Sequence, residues 1–89
     1  MKTPLFTVEF KKTAAKELAA LERIDQARIA AAIEVLAKDP RPHGSKKLKG
    51  ADAWRIRIGD FRVIYEIYEN QLVVWIIRVA KRSEVYSKK

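Results

Sequence analysis

The chain opens on a short alternation in which Leu5, Thr7 and Glu9 interleave with Phe6, Val8 and Phe10, so the segment reads as a strand with one apolar side. From Lys11 the period lengthens. Ala14, Leu18 and Leu21 recur at spacings of four and three, which predicts a helix with a single apolar face. Ile24 to Lys38 repeats that pattern through Ile29, Ile33 and Leu36, with alanines at Ala30 to Ala32 raising helix propensity and Asp25 expected as the N-cap. Asp39-Pro40 ends this second helix, because the residue before a proline is driven out of the α region, and Pro42 reinforces the stop. Two helices joined this closely form a hairpin.

Arg41 to Gly50 is rich in Pro, Gly, Ser and Lys and is expected to cross the surface as a connector. Alternation then returns, with Trp54, Ile56 and Ile58 on one side and Arg55 and Arg57 on the other. Gly59-Asp60 predicts a two-residue type II′ turn, after which Phe61, Val63, Tyr65 and Ile67 continue the apolar side. Glu69-Asn70 is expected to turn the chain into a last strand, Gln71 to Ala80, apolar enough to be covered on both faces for part of its length. The order β, α, α, β, β, β predicts an α+β fold. It consists of an N-terminal strand, a two-helix hairpin and an antiparallel three-stranded meander joining one sheet, followed by a short C-terminal tail from Lys81 to Lys89.

Length and composition narrow this further. A chain of 89 residues is expected to form one domain, residues 1–89, and 48% hydrophobic with 34% charged residues favours a packed core over disorder. The absence of cysteine excludes disulfides, thiolate metal sites and thiol nucleophiles, and makes a reducing cytoplasm the expected compartment. The longest apolar run, Leu72 to Ile77, is too short to span a bilayer, and Met1 to Phe10 lacks a signal-peptide layout, so no membrane association is expected. No Gly-rich phosphate loop, metal-ligand cluster or Ser/His/Asp arrangement stands in the sequence, and no cofactor or metal is expected.

The net charge is +8, and Arg41 to Arg62 holds seven of the basic residues against only Asp52 and Asp60. Such a patch attracts polyanions. With Gly59 and Asp60 as the only loop residues, Arg57 falls opposite Arg62 and Arg55 opposite Ile64, which puts three arginines on one face. Like charges directly opposite each other destabilise a sheet by a few tenths to about 1 kcal/mol, a cost that an anion between them would remove. The same pattern fits three arginines that merely solubilise an uncovered face, their stems lying over Ile64 and Trp75.

The stretch Trp54-Arg55-Ile56-Arg57-Ile58-Gly59-Asp60-Phe61-Arg62-Val63-Ile64-Tyr65-Glu66-Ile67 resembles the core "Y-R-I-R-V-G-D-Y-R-V-I-Y-x-I" of the RelE family of bacterial toxin–antitoxin toxins. Arg78-Val79-Ala80-Lys81-Arg82-Ser83-Glu84-Val85-Tyr86 is similar to that family's closing segment, and the opening strand, the helix hairpin and the connector also fit. The resemblance implies a microbial-ribonuclease-like toxin that enters the ribosomal A site and cleaves messenger RNA without metal, by attack of the 2′-hydroxyl on the scissile phosphate, thereby stopping translation. It also implies a hetero-oligomer with a cognate antitoxin that silences it. Carried over by position, it implies a catalytic set of Arg62, Arg82, Tyr86, Arg55 and Arg57, and RNA contacts at Lys46, Lys47, Lys49 and Lys81. Two departures stand out. The best-known RelE toxins have lysines where Arg55 and Arg57 stand, and arginine holds its proton far more tightly, so no general base is assigned. The tail is also shorter than in some relatives. The related ParE toxins share the fold but poison DNA gyrase by binding, which is the alternative function, and His43, alone in the connector, is read as a solvated loop histidine.

Overall fold

In the computed structural model, which describes residues 5–81, the alternating segments become strands of one sheet and the periodic segments become two helices packed on one side of it. The chain runs through β1 (Thr7–Phe10), α1 (Lys12–Ala19), α2 (Arg23–Lys38), β2 (Lys46–Lys47), β3 (Trp54–Ile58), β4 (Phe61–Tyr68) and β5 (Val73–Lys81). The sheet order is β1-β5-β4-β3-β2, with β1 parallel to β5 and every other neighbouring pair antiparallel. The expected α+β architecture is therefore present, including the antiparallel meander of β3, β4 and β5.

The core lies between helices and sheet. Ala14 of α1 and Ile29, Ile33 and Leu36 of α2 are buried against Ile56, Phe61, Val63, Tyr65, Val74, Ile76 and Val79. Each large aliphatic or aromatic side chain buried in this way contributes roughly 1.5–3 kcal/mol. Tyr65 is enclosed completely, and its hydroxyl donates to the Pro40 carbonyl at 2.7 Å, which ties the end of α2 to the middle of β4. Burial pushes the Tyr65 phenol up to about 12, against a partial opposing pull from Ser45 and Arg41.

Four local features differ from the sequence reading. Glu22, not Asp25, occupies the N-cap of α2, and Asp25 stands in the first turn, where it still faces the positive helix end. The carbonyls that end α1 instead take the Gln26 side-chain amide, at 3.0 Å from Leu18 and 3.1 Å from Ala19, so a side chain of α2 caps the end of α1. The connector carries a two-residue edge strand, β2, whose exposed lysines discourage further pairing. The turn before β5 is longer than Glu69-Asn70, because Leu72 adopts the left-handed region at φ 55° and the last strand begins at Val73 rather than Gln71.

The β3–β4 hairpin is as expected. Gly59 has φ 59° while Asp60 does not enter the positive region, the combination of a type II′ turn. A bulge also interrupts β5: Ile64 pairs with Arg78 but Tyr65 pairs with Ile76, leaving Ile77 extra. The bulge changes the parity of the strand. Before it, Val74 and Ile76 face the helices; after it Val79 does, while Ala80 turns to the other face and Arg78, at the stretch of edge that β1 leaves open, reaches round to Glu17 of α1.

Candidate functional site

Strand alternation assigns a face to every residue of the meander, and the register of β3 and β4 is the one read from the sequence: Arg57 opposite Arg62, Arg55 opposite Ile64, Ile56 opposite Val63. Because Ile56 and Val63 are core residues, Arg55, Arg57 and Arg62 all belong to the face that carries no helix. Lys46, paired with Arg55, continues this basic group onto β2. Arg57 is exposed, Arg55 half-buried and Arg62 only 5% exposed. That burial departs from the uncovered face expected of the sequence. The Nε of Arg62 is enclosed with no hydrogen bond of its own, while the residue interacts elsewhere. A cation held in such surroundings acts through a lower effective dielectric than one in water, so its field reaches further.

Other expected site residues are not brought to this group. Lys47 pairs with Trp54 and so alternates toward the helix side, 3.8 Å from Asp52. Lys49 is exposed in the loop beyond β2. Lys81 pairs with Phe61 and lines a cleft of about 200 Å³ with Glu17, Ala20 and Leu21, away from the arginines. Arg82 and Tyr86 lie outside the described residues. Arg41, counted in the basic stretch, serves the fold instead. Its guanidinium pairs with Glu69 at 2.8 Å and lies 5.1 Å from the Trp54 ring centroid, pinning the connector to the far end of the sheet. The hydrogen bond with Glu69 holds Arg41 charged beyond its ordinary range and depresses the Glu69 carboxyl.

Two residues escaped the sequence reading. Past Phe10, β1 no longer flanks β5, and Glu17 of α1 serves that stretch of edge. Its carboxylate accepts from the Val79 amide at 2.7 Å and from Arg78 Nε at 2.8 Å and Nη2 at 2.7 Å. Both Arg78 donors meet one oxygen, Oε2, while Oε1 takes the Val79 amide, and the three contacts together lock α1 to the bulge. The signal was in the sequence: an arginine inside an otherwise apolar strand requires either a buried charge or a change of parity.

Chemically, the helix-free face is divided. Toward the β3–β4 turn it presents guanidiniums and Lys46; toward the opposite end it presents Glu9, Glu66 and Trp75. Among the described residues no group of three or more His, Cys, Asp or Glu is placed to hold a metal ion, and no helix is long and apolar enough to cross a membrane. The basic half is suited to binding a phosphodiester and to stabilising negative charge that grows upon it.

Comparison with known proteins agrees with the fold. Residues 8–86 match the model of the ParE toxin of type II toxin–antitoxin systems. The chain is 33% identical over 85 residues to a putative RelE1 toxin of Methanocaldococcus jannaschii, covering 91% of this chain and 94% of that one. It superposes with a TM-score of 0.81 and 28% identity on the RelBE2 toxin–antitoxin complex of Mycobacterium tuberculosis, over 92% of this chain and 97% of that chain. The isolated RelE toxin of Escherichia coli gives a TM-score of 0.77 at 28% identity, over 91% and 90% of the two chains. The chain thus belongs to the ParE toxin family of the RelE/ParE superfamily, and is a toxin of a type II toxin–antitoxin system.

Proposed function

We propose that this toxin is a ribosome-dependent endonuclease that cuts messenger RNA in the A site and so arrests translation. The observation that carries the reading is the register that gathers Arg55, Arg57 and Arg62 on one helix-free face, with Lys46 beside them. In the proposed reaction the 2′-oxygen attacks the adjacent phosphorus and the bond to the 5′-oxygen breaks. The products are a 2′,3′-cyclic phosphate and a free 5′-hydroxyl. Exposed Arg57 and half-buried Arg55 meet the phosphate, and Arg62 beneath them supplies a fixed positive field for the charge that grows on the non-bridging oxygens. Arg82 and Tyr86, beyond the described residues, complete the proposed set, with Tyr86 as the proton donor to the leaving oxygen. No side chain is assigned as general base, and the 2′-hydroxyl proton passes to water. Binding the messenger in a fixed pose on the ribosome supplies the alignment that a weak acid–base apparatus otherwise lacks.

The proposed partner that silences the toxin is an antitoxin, since the solved relatives include RelB–RelE complexes. The surface proposed for it is an apolar cleft of about 460 Å³ along β1 and the helices, lined by Leu5, Phe6, Val8, Leu18, Ala30 and Ile33. This suits the apolar side of an amphipathic segment.

The family match to ParE toxins and the burial of Arg62 favour one second reading, inhibition of DNA gyrase by binding alone. Expression of the wild type and of Arg62→Met in bacteria separates the two. Under the nuclease reading, new messenger ends appear within translated frames for the wild type only. Trapped gyrase–DNA complexes with intact messengers decide for the second reading.

A further inference from the structure

The acidic half of the helix-free face carries a feature that phosphate chemistry does not use. Trp75 is half-buried there, directly opposite Glu66 on β4 and level with Glu9 on β1. An indole placed only to be covered is ordinarily flanked by apolar side chains; this one has a carboxylate on each neighbouring strand. Lys11, the residue after β1, holds its Nζ 4.4 Å from the centroid of the ring. The carboxylate of Glu66 is oriented in turn, because the Tyr68 hydroxyl donates to its Oε1 at 2.7 Å.

We propose that Trp75 is the stacking platform for one base of the bound single-stranded RNA, that Glu66 accepts hydrogen bonds from that base's Watson–Crick edge, and that guanine is the preferred base. The indole offers a π-face that any base can stack on, with the Lys11 ammonium that covers it in the free protein moving off the ring as the base enters. Glu66 adds the selection: an ionised carboxylate only accepts, and guanine alone presents two adjacent donors, N1–H and N2–H, to a single carboxylate. Lys11 offsets the two carboxylates and stands ready for a phosphate of the same strand. RNA is the fitting occupant because Arg55, Arg57, Arg62 and Lys46 share the same face. From Arg62 to Glu66 is four residues along β4, about 13 Å. The base on Trp75 therefore belongs to a neighbour of the nucleotide being cut, and the site sets sequence preference rather than chemistry.

This inference rests on the RNA-cleaving reading, and the test separates them. In a purified translation system programmed with messengers of varied sequence, the wild type is expected to favour guanine at one fixed position near the cut. Trp75→Leu is expected to cut favoured sites more slowly by on the order of 10-fold, with Trp75→Phe retaining most of the rate. Glu66→Gln is expected to move the preference from guanine toward adenine, whose N6–H and N1 match a carboxamide. If Trp75→Leu folds poorly, Glu66→Gln, on a half-exposed side chain, decides through its sequence profile alone. Unchanged profiles and rates in both variants, beside an inactive Arg62→Met, overturn the inference and leave the nuclease reading standing. A wild type that cuts no messenger overturns both.

Discussion

Replacing Arg57 by methionine should make the protein more stable and less toxic at once. Arg57 and Arg62 are directly opposed on β3 and β4, where side chains leave the sheet about 5 Å apart. If the guanidiniums splay to roughly 7 Å, their repulsion lies between about 0.6 kcal/mol in water and about 2.4 kcal/mol at an effective dielectric near 20. Arg57 is exposed and Arg62 is 5% exposed, so the pair lies between those limits and about 1 kcal/mol is the expected gain. For a domain of 89 residues that is a rise in Tm of about 4–8 °C. Methionine keeps an unbranched stem over the sheet, so lost packing does not mask the effect. Thermal unfolding followed by circular dichroism at low salt measures it, with Arg57→Lys as the control that keeps the repulsion. The gain should shrink in 1 M salt, where the screening length falls to about 3 Å. An Arg57→Met protein no more stable than the wild type at low salt, or an equal gain in Arg57→Lys, would refute the argument that the face is electrostatically strained.

Three further outcomes follow from the structure. The folded state favours the neutral Tyr65 phenol, so its contribution to stability is complete below about pH 10, the ordinary range, and lost as pH rises through about 12. Equilibrium unfolding at successive pH values should show an alkaline loss of up to about 2–3 kcal/mol that is shallower in Tyr65→Phe. Glu17→Gln should destabilise the protein by about 1–2 kcal/mol in urea unfolding, because the Val79 amide and Arg78 lose a charged acceptor. Ala30→Glu places a carboxylate on an exposed helix position that lines the apolar cleft, so it should leave stability within about 0.5 kcal/mol while weakening capture by a co-expressed antitoxin at least 10-fold in titration.

Much of the fold was legible because period and punctuation agreed. The helical spacings of Ile29, Ile33 and Leu36 and the alternation around Gly59-Asp60 each had one reading, and the turn alone fixed the pairing of Arg57 with Arg62. The bulge at Ile77 was not legible in the same way. Every residue from Leu72 to Ile77 is apolar, so a shift of parity leaves no mark on the pattern except the arginine at 78. Lys81 falls away from the arginines for the same reason, since one extra residue in a strand exchanges the faces of all that follow. The depth of Arg62 was out of reach for another cause: periodicity assigns a face, and what lies over that face is tertiary.

If positive charge gathered on the helix-free face drives cleavage of RNA by its own 2′-oxygen, the chemistry of the cut ends must show it. Ribosomes holding a messenger with an empty A site, mixed with the purified toxin, supply those ends. Attack by the 2′-oxygen predicts an upstream fragment ending in a 2′,3′-cyclic phosphate and a downstream fragment beginning with a 5′-hydroxyl, with no such fragments from Arg62→Met. Fragments ending in a 3′-hydroxyl, or an intact messenger beside wild-type toxin, would contradict it.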